Sequence, residues 1–309
     1  MILATVIRFV VMITKVGATN REWLDLKARR RNVNEGECGM EDNLFGQDWE
    51  IEPAGGETGK AFVAVHEDEK FFLKRNSSPF LAALSVENIV PKLIWTRRVE
   101  NGDVITAQKW INNGQTLRAT EMREPRVAKL LGKIHQSDAL RDMLQRIEKK
   151  EYSCGQLLAI VTEYVDKLGN PDSLVAQAYH YLIEHVDALP EEPHVVCHGD
   201  VNHNNWLLSE QEELYLVDWD GAMLADPAND LGVLLYQYVP YGEWERWLLE
   251  YGQTLTCEFY LRLKWFAICQ VLMAMNWQFE HSRAPELARL ELLLRKIMED
   301  EEVYVTLCE

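Results

Sequence analysis

Three side chains at fixed intervals carry the chemistry this chain can do. Asp200 stands in the run His198-Gly199-Asp200-Val201-Asn202-His203-Asn204-Asn205, Asn205 follows five residues on, and Asp218 follows thirteen residues after that in Asp218-Trp219-Asp220. A carboxylate, an amide and a second carboxylate in this order suit phosphoryl transfer from ATP to a hydroxyl. Asp200 can accept the proton of the attacking hydroxyl, while Asn205 and Asp218 can hold magnesium over the nucleotide phosphates. Magnesium prefers oxygen ligands and keeps several waters, so one amide oxygen and one carboxylate meet its needs. Asp200 alone would read as a turn cap; with the other two in register the catalytic reading leads. Asp220 on a strand would point to the same side as Asp218, where it could tune the metal or accept backbone hydrogen bonds.

Other candidates surround this set. Lys74 ends a short apolar run, where a lysine can reach nucleotide phosphates, and Glu87 is the best candidate to hold it in place. A lone strand lysine is usually solvated, so this pair borrows its weight from the Asp200 loop. Gly55, Gly56 and Gly59 lie between two strand candidates, where glycines let backbone N–H groups approach phosphates; a plain hairpin turn has the same composition. His198 reads as a structural loop histidine. His203 could contact a phosphate or the substrate, or orient the loop. His135 ends a helix and reads as a dipole partner. Asp226 and Asp230 read as turn and N-cap residues that brace the loop. Trp244, Trp247, Trp265 and Trp277 lie at helical spacing and read as core.

These side chains need elements to position them. From Trp49 to Trp110 the chain reads as short strands around one helix: Ala61–Val65 and Lys70–Lys74 form a hairpin across a polar turn, Ala82–Ile94 is helical, and a further hairpin spans Val99–Trp110 around Asn101-Gly102. After Asn112-Asn113-Gly114 the chain is mostly helical, with candidates at Glu124–Gln136, Leu157–Leu168 and Ser173–Leu189. Short strands at Val195–Cys197 and Tyr215–Val217 flank the Asp200 loop. The expected architecture is α+β, a small N-terminal antiparallel sheet with one helix and a larger, mostly helical C-terminal lobe. The expected divisions are 1–39 as a poorly ordered extension, 40–111 as a nucleotide-binding lobe and 112–309 as a catalytic and substrate-binding lobe.

Composition narrows the class. A hydrophobic fraction of 47% and a charged fraction of 26% are those of an ordinary globular protein with a sizeable core. A net charge of −17 argues against a general nucleic-acid binder, whose affinity comes from neutralising phosphates. The six cysteines form no C-x-x-C pair and no zinc-ligand spacing, and read as reduced thiols of a cytoplasmic protein. The first 39 residues hold seven basic and four acidic side chains, unlike the acidic remainder. Ile2–Ile13, interrupted by Arg8, is too short to span a bilayer as a helix, so no integral membrane segment is expected there. One reading of this break starts the functional protein at Met40, with residues 1–39 as an upstream extension; a native start at Met1 is the alternative.

From Trp49 to its C-terminus the chain resembles the aminoglycoside phosphotransferase and choline kinase superfamily. The resemblance rests on His198-Gly199-Asp200 with Asn205, on Val217-Asp218-Trp219-Asp220 and on Leu131-Gly132-Lys133-Ile134-His135. Within it the chain is similar to the CcrZ/YtmP group of bacterial cell cycle regulator kinases through Pro53-Ala54-Gly55-Gly56-Glu57-Thr58-Gly59-Lys60-Ala61, Asn76-Ser77-Ser78-Pro79, Leu93-Ile94-Trp95-Thr96-Arg97-Arg98 and His198–Trp206. The resemblance implies a bilobal protein-kinase-like fold, ATP and Mg2+ as cofactors, Asp200 as base, and Asn205 and Asp218 as metal ligands. It further implies phosphorylation of a pentose, ribose or 2-deoxyribose, and a link to division and replication with a cell-division protein as partner. Choline, ethanolamine or aminoglycoside kinases are the alternative substrates, and a nucleotide-binding scaffold of the cell cycle is the alternative class. A protein kinase is disfavoured, because little chain separates Asp220 from the Asp226–Asp230 turn and no A-P-E segment follows.

Overall fold

The computed structural model describes residues 49–54, 61–66, 69–147, 151–168, 173–189 and 192–300. The described chain divides at Asn113/Gly114 into two compact units. The expectations for residues 1–39, for Met40 and for Gly55, Gly56 and Gly59 lie outside the described residues.

The first unit is one antiparallel sheet with a short helix. Its strands are β1 (Glu50–Pro53), β2 (Ala61–His66), β3 (Glu69–Arg75), β4 (Leu93–Arg98) and β5 (Val104–Lys109), in the order β1-β2-β3-β5-β4. Alternation buries Ala64, Leu73, Ile105 and Ala107 on one face, with Trp49, Ile51, Phe62, Phe71, Trp95 and Val99 packed against them. Helix α1 is shorter than the spacing predicts, running Phe80–Val86. Asn88 takes a left-handed φ of 55°, and the amides of Asn88 and Ile89 fold back onto the carbonyls of Ser85 and Leu84. The helix is thereby closed before Pro91, and the amide of Leu93 donates to Ser85 Oγ at 2.8 Å. The segment 93–98 pairs with β5 instead of extending the helix, so the hairpin about Asn101-Gly102 starts at Leu93 rather than Val99.

The second unit is mainly helical. Helices α2 (Pro125–His135), α3 (Asp138–Ile147), α4 (Cys154–Leu168) and α5 (Leu174–His185) precede the site. Helices α6 (Ala228–Tyr238), α7 (Trp244–Tyr251), α8 (Cys257–Glu280) and α9 (Ala284–Met298) follow it. Thr256 caps α8 through a bond from the Phe259 amide, and Ser173 caps α5 through the Ala176 amide. Helix α8 is the core of the unit, its 24 residues buried on nearly every side, and it packs on α6 and α9. Trp244, Trp247, Trp265 and Trp277 are all buried here, in keeping with a packing role. Among the described residues no helix is long and apolar enough to cross a membrane.

Between the helices lie short strands that frame the Asp200 loop. Strand β7 (Val195–Cys197) pairs antiparallel with β10 (Met223–Ala225), while β6 (Gln115–Thr116), β8 (Trp206–Leu208) and β9 (Leu214–Leu216) form a second ladder. The expectation of six reduced cysteines is corrected at Cys257, which is disulfide-bonded, while Cys154, Cys197 and Cys269 are free. Disulfide pairing follows distance in the folded chain, which sequence spacing does not report.

Gly132 shows how closely the helices meet. A Cβ at this position on α2 would collide with the backbone carbonyl of Tyr251, the last residue of α7. Gly132→Ala should therefore lower unfolding free energy by about 1–3 kcal/mol in chemical denaturation, as overpacking does. Helix propensity alone would raise it by up to about 1 kcal/mol. A stabilised variant would mean that α2 and α7 are not in contact here.

Candidate active site

The Asp200 loop runs from the end of β7 into a one-turn 3-10 helix at His203–Asn205 and then into β8. Its backbone is held from α6. The amides of His198 and Gly199 donate to the two carboxylate oxygens of Asp230, at 2.7 and 2.8 Å. Gly199 has a φ of 82°, the left-handed conformation in which a Cβ is unfavourable. His198 is fully buried and ties the loop to the segment carrying Asp218. Its Nε2 lies 2.9 Å from the carbonyl of Val217, and its Nδ1 accepts the amide of Asp200 at 3.1 Å. These two bonds require the Nε2–H tautomer, and the ring packs edge-on against Trp219 at 4.7 Å.

Asp200 is gripped on both oxygens. Asn202 Nδ2 donates to Oδ1 at 2.7 Å, and Asn205 Nδ2 donates to Oδ2 at 3.0 Å and to the Asp200 carbonyl at 2.8 Å. Burial pushes the Asp200 carboxyl up to about 6, against the opposing pull of His198 and the two amides, and the neighbouring Asp218 charge adds to the rise. Asn205 is buried, and its amide nitrogen is spent on Asp200, so Oδ1 is the atom it can offer a metal. The carbonyl of Asn205 accepts the amide of Val217 at 2.8 Å, which sets Asp218 beside it in the chain fold.

Asp218 takes a left-handed conformation, φ 67° and ψ 61°, unusual for a residue with a side chain and typical of strained functional positions. It precedes a 3-10 turn at Trp219–Gly221. Asp220 therefore does not lie on a strand with Asp218, and strand alternation does not apply: its side chain is exposed on that turn. The donor set of Asn205 and Asp218, one neutral oxygen and one carboxylate, fits magnesium with water and phosphate oxygens completing the shell.

Asp226 and Asp230 brace the loop as the sequence suggests, through partners that it did not reveal. His135, expected to act at a helix end, is buried, with Nε2 3.3 Å from Asp230 Oδ2 and Nδ1 2.7 Å from Tyr251 Oη. Asp226 caps its own turn by accepting the Ala228 amide at 2.9 Å, and its other oxygen is engaged by the buried Arg262 guanidinium from α8. The N-cap position of α6 is Pro227, and Asp230 lies within the first turn. Cys197 donates its thiol to the carbonyls of Asp226 and Ala225, and burial raises its pKa well above the ordinary thiol value. His135, Cys197 and Asp230 bring three ligand-type atoms close together. All three already spend these atoms in hydrogen bonds, so the cluster reads as a structural knot. Tyr238, the last residue of α6, accepts the His203 amide at 3.3 Å and lies 3.1 Å from His203 Nδ1. Burial raises its phenol, and the charge of Asp200 adds to the rise.

In the first unit, Lys74 lies on β3 opposite Thr106 and Ala61, and Glu87 is the C-cap of α1. Both side chains are half-buried.

Fold and loop define a kinase-like small-molecule phosphotransferase. Residues 51–266 match the phosphotransferase enzyme family (APH), and the chain belongs to that family. Solved structures share the fold. The choline kinase LicA from Streptococcus pneumoniae matches with a TM-score of 0.59 at 18% identity, over 80% of this chain and 93% of its own. A choline/ethanolamine kinase family protein from Mesorhizobium loti matches with a TM-score of 0.59 at 19% identity, over 82% and 90%. A thermostable mutant of aminoglycoside phosphotransferase APH(4)-Ia matches with a TM-score of 0.58 at 18% identity, over 81% and 94%.

The raised Asp200 carboxyl gives a stability test. Its folded-state pKa of about 6 exceeds the ordinary 3.8, so the stability it contributes is complete below about pH 4 and is lost as pH rises through 6. Without nucleotide or metal, Asp200→Asn should be more stable than wild type by about 1–2 kcal/mol near pH 7.5, less than the full shift implies because the loop is partly open to water. The gap should close as pH is lowered toward 4. A gap that widens with acid would show that the carboxylate is stabilised by its surroundings.

Proposed function

We propose that this protein transfers the γ-phosphoryl group of ATP to a hydroxyl of a small molecule, with a pentose, ribose or 2-deoxyribose, as acceptor. The observation that carries this reading is the fixed carboxylate of Asp200, held by two amides beside Asn205 and Asp218. Asp200 orients the acceptor hydroxyl and takes its proton as the new P–O bond forms and the bond to the β-phosphate breaks. Magnesium, when bound, neutralises charge on the transferring phosphates. Asn205 Oδ1 and the Asp218 carboxylate would hold it, and roles for Lys74, Glu87, Gly55, Gly56 and Gly59 in binding the nucleotide phosphates rest on the resemblance and on residue type. Asp220 is left to loop support.

The choice of a pentose rests on resemblance to the CcrZ/YtmP group, as do the link to division control, a cell-division partner and a cytoplasmic setting, where ATP is supplied. The solved relatives give a specific reason to test other acceptors: their names describe a choline kinase, and spectinomycin phosphotransferase was solved with ADP and spectinomycin. LicA was solved with AMP, which supports an adenine nucleotide as donor.

The test is ADP release with magnesium-ATP and a panel of ribose, 2-deoxyribose, choline, ethanolamine and an aminoglycoside. Turnover with a pentose, reduced about 10²–10⁴-fold in Asp200→Ala, is the expected result. Asn205→Ala or Asp218→Ala should raise the magnesium concentration needed for half-maximal rate, and an unchanged requirement would remove them as ligands. Turnover with choline or an aminoglycoside alone would replace the pentose. Rescue of a null-strain division phenotype by Asp200→Ala would instead favour the scaffold reading.

A further inference from the structure

We propose that Asn202 is a positioning residue for phosphoryl transfer, its one side chain fixing both the direction of the Asp200 carboxylate and the place of Asn205 beside it. The inference rests on the reading of Asp200 as proton acceptor and Asn205 as magnesium ligand.

The partners of Asn202 leave its amide one orientation. The residue is buried, its Oδ1 accepts the Asn204 amide at 2.9 Å, and its Nδ2 donates to Asp200 Oδ1 at 2.7 Å. A backbone N–H can only donate, so the side-chain oxygen must face Asn204 and the NH2 must face the carboxylate. The flipped amide would set N–H against N–H. Asn205 is oriented by the same rule. Its Nδ2 meets the Asp200 carbonyl, which can only accept, at 2.8 Å and Asp200 Oδ2 at 3.0 Å, so its Oδ1 is turned away from both.

The two ends of the Asn202 side chain act on different groups. Oδ1 caps the 3-10 turn His203–Asn205, whose remaining amides go to Tyr238 Oη at 3.3 Å and to the Asn202 carbonyl at 3.1 Å. A single turn has few bonds of its own, so its tilt, and with it the direction of Asn205 Oδ1, depends on this cap. Nδ2 holds one oxygen of Asp200 while Asn205 holds the other, and the carboxylate cannot rotate without breaking both bonds. On the other side of Asn202 the Val201 carbonyl accepts the indole N–H of the fully buried Trp206 at 3.2 Å, which fixes the backbone from which Asn202 projects. Serine at 202 would cap the turn without reaching Asp200. Glutamine would carry a donor but is a poor cap, and aspartate would cap but repel the carboxylate. Asparagine meets both requirements at one length.

Two variants of the full chain separate these effects. Asn202→Ser keeps the cap and loses the donor. With magnesium-ATP and the panel acceptor that turns over, its kcat should fall about 10–100-fold, the weight of one hydrogen bond to a charged group, with KM for ATP and acceptor unmoved. Its calorimetric Kd for magnesium-ADP should equal that of wild type. Asn202→Ala loses both bonds, so kcat should fall at least as far and magnesium-ADP should bind about fivefold more weakly. In NMR of the ligand-free protein, the Asn202 side-chain amide protons should move upfield in Asp200→Ala, a readout that needs no substrate. A wild-type kcat in Asn202→Ser overturns the proposal, as does a loss carried by KM alone or an Asn202 amide indifferent to Asp200. If Asn202→Ala fails to fold, Asn202→Ser still decides. Asn202→Ser at the wild-type rate beside an inactive Asp200→Ala would defeat the positioning role alone. Full turnover in Asp200→Ala, or none by wild type on any acceptor, would defeat the underlying reading and the positioning role with it.

Discussion

The site depends on one buried carboxylate. Asp230 receives the amides of His198 and Gly199 on separate oxygens and meets His135 Nε2 at Oδ2, the oxygen that takes the His198 amide. An ionised carboxylate without partners would be costly in this interior, and charge-assisted bonds to backbone N–H groups are among the strongest a protein makes. The arrangement fixes the turn that follows β7, and with it the direction in which Asp200 leaves the strand. It also explains why α6 starts where it does: the helix must present its first turn to the end of β7. Asp226 then joins the start of α6 to α8 through Arg262. Burial raises the Asp226 carboxyl while the Arg262 charge opposes the rise, so the pair holds only if both members remain.

Two backbone conformations in the loop region make sense only against this support. Gly199 and Asp218 both have positive φ, and Asp218 carries a side chain. The cost at Asp218 is about 1–3 kcal/mol, which local sequence would not tolerate on its own. His198 offsets it by binding the Val217 carbonyl from below, and Asn205 does so by accepting the Val217 amide. The strained residue is thus clamped on its N-terminal side by two residues of the loop it must face.

What could be read from the sequence was local. The spacing of Asp200, Asn205 and Asp218 spans a short stretch of chain, so its chemistry was visible without the fold. Helix α2 was visible from Val127, Leu130, Leu131 and Ile134 at helical spacing. Leu93 and Ile94 fit a helix end by spacing because apolar residues there suit either period, and the deciding features are Asn88 in a left-handed turn and the pairing of 93–98 with β5. The strand reading of Asp218 and Asp220 failed for the same reason, since alternation presumes extended backbone. Arg262, Tyr238 and Tyr251, and the partners of His135, escaped notice because these contacts join residues far apart in sequence. His135 reaches Tyr251 across 116 residues and Asp230 across 95, and Tyr238 reaches His203 across 35. One signal was available. Gly132 inside an otherwise good helix pointed to a close crossing, and Tyr251 is what crosses there.

The surroundings of Asp200 set two opposing demands on one group. Amide bonds from Asn202 and Asn205 stabilise the ionised form and fix its lone pairs, which a proton acceptor needs if it is to point at a hydroxyl. Burial does the reverse and leaves the carboxyl near 6, more basic than a free aspartate. A base works best when it is mostly ionised at the working pH but still binds a proton as strongly as that permits. A solvated carboxylate would be ionised but weak, and a buried one without amides would be protonated. The loop reaches the intermediate value because burial is opposed by His198 and by the neutral amides of Asn202 and Asn205, which orient the charge of Asp200 without cancelling it.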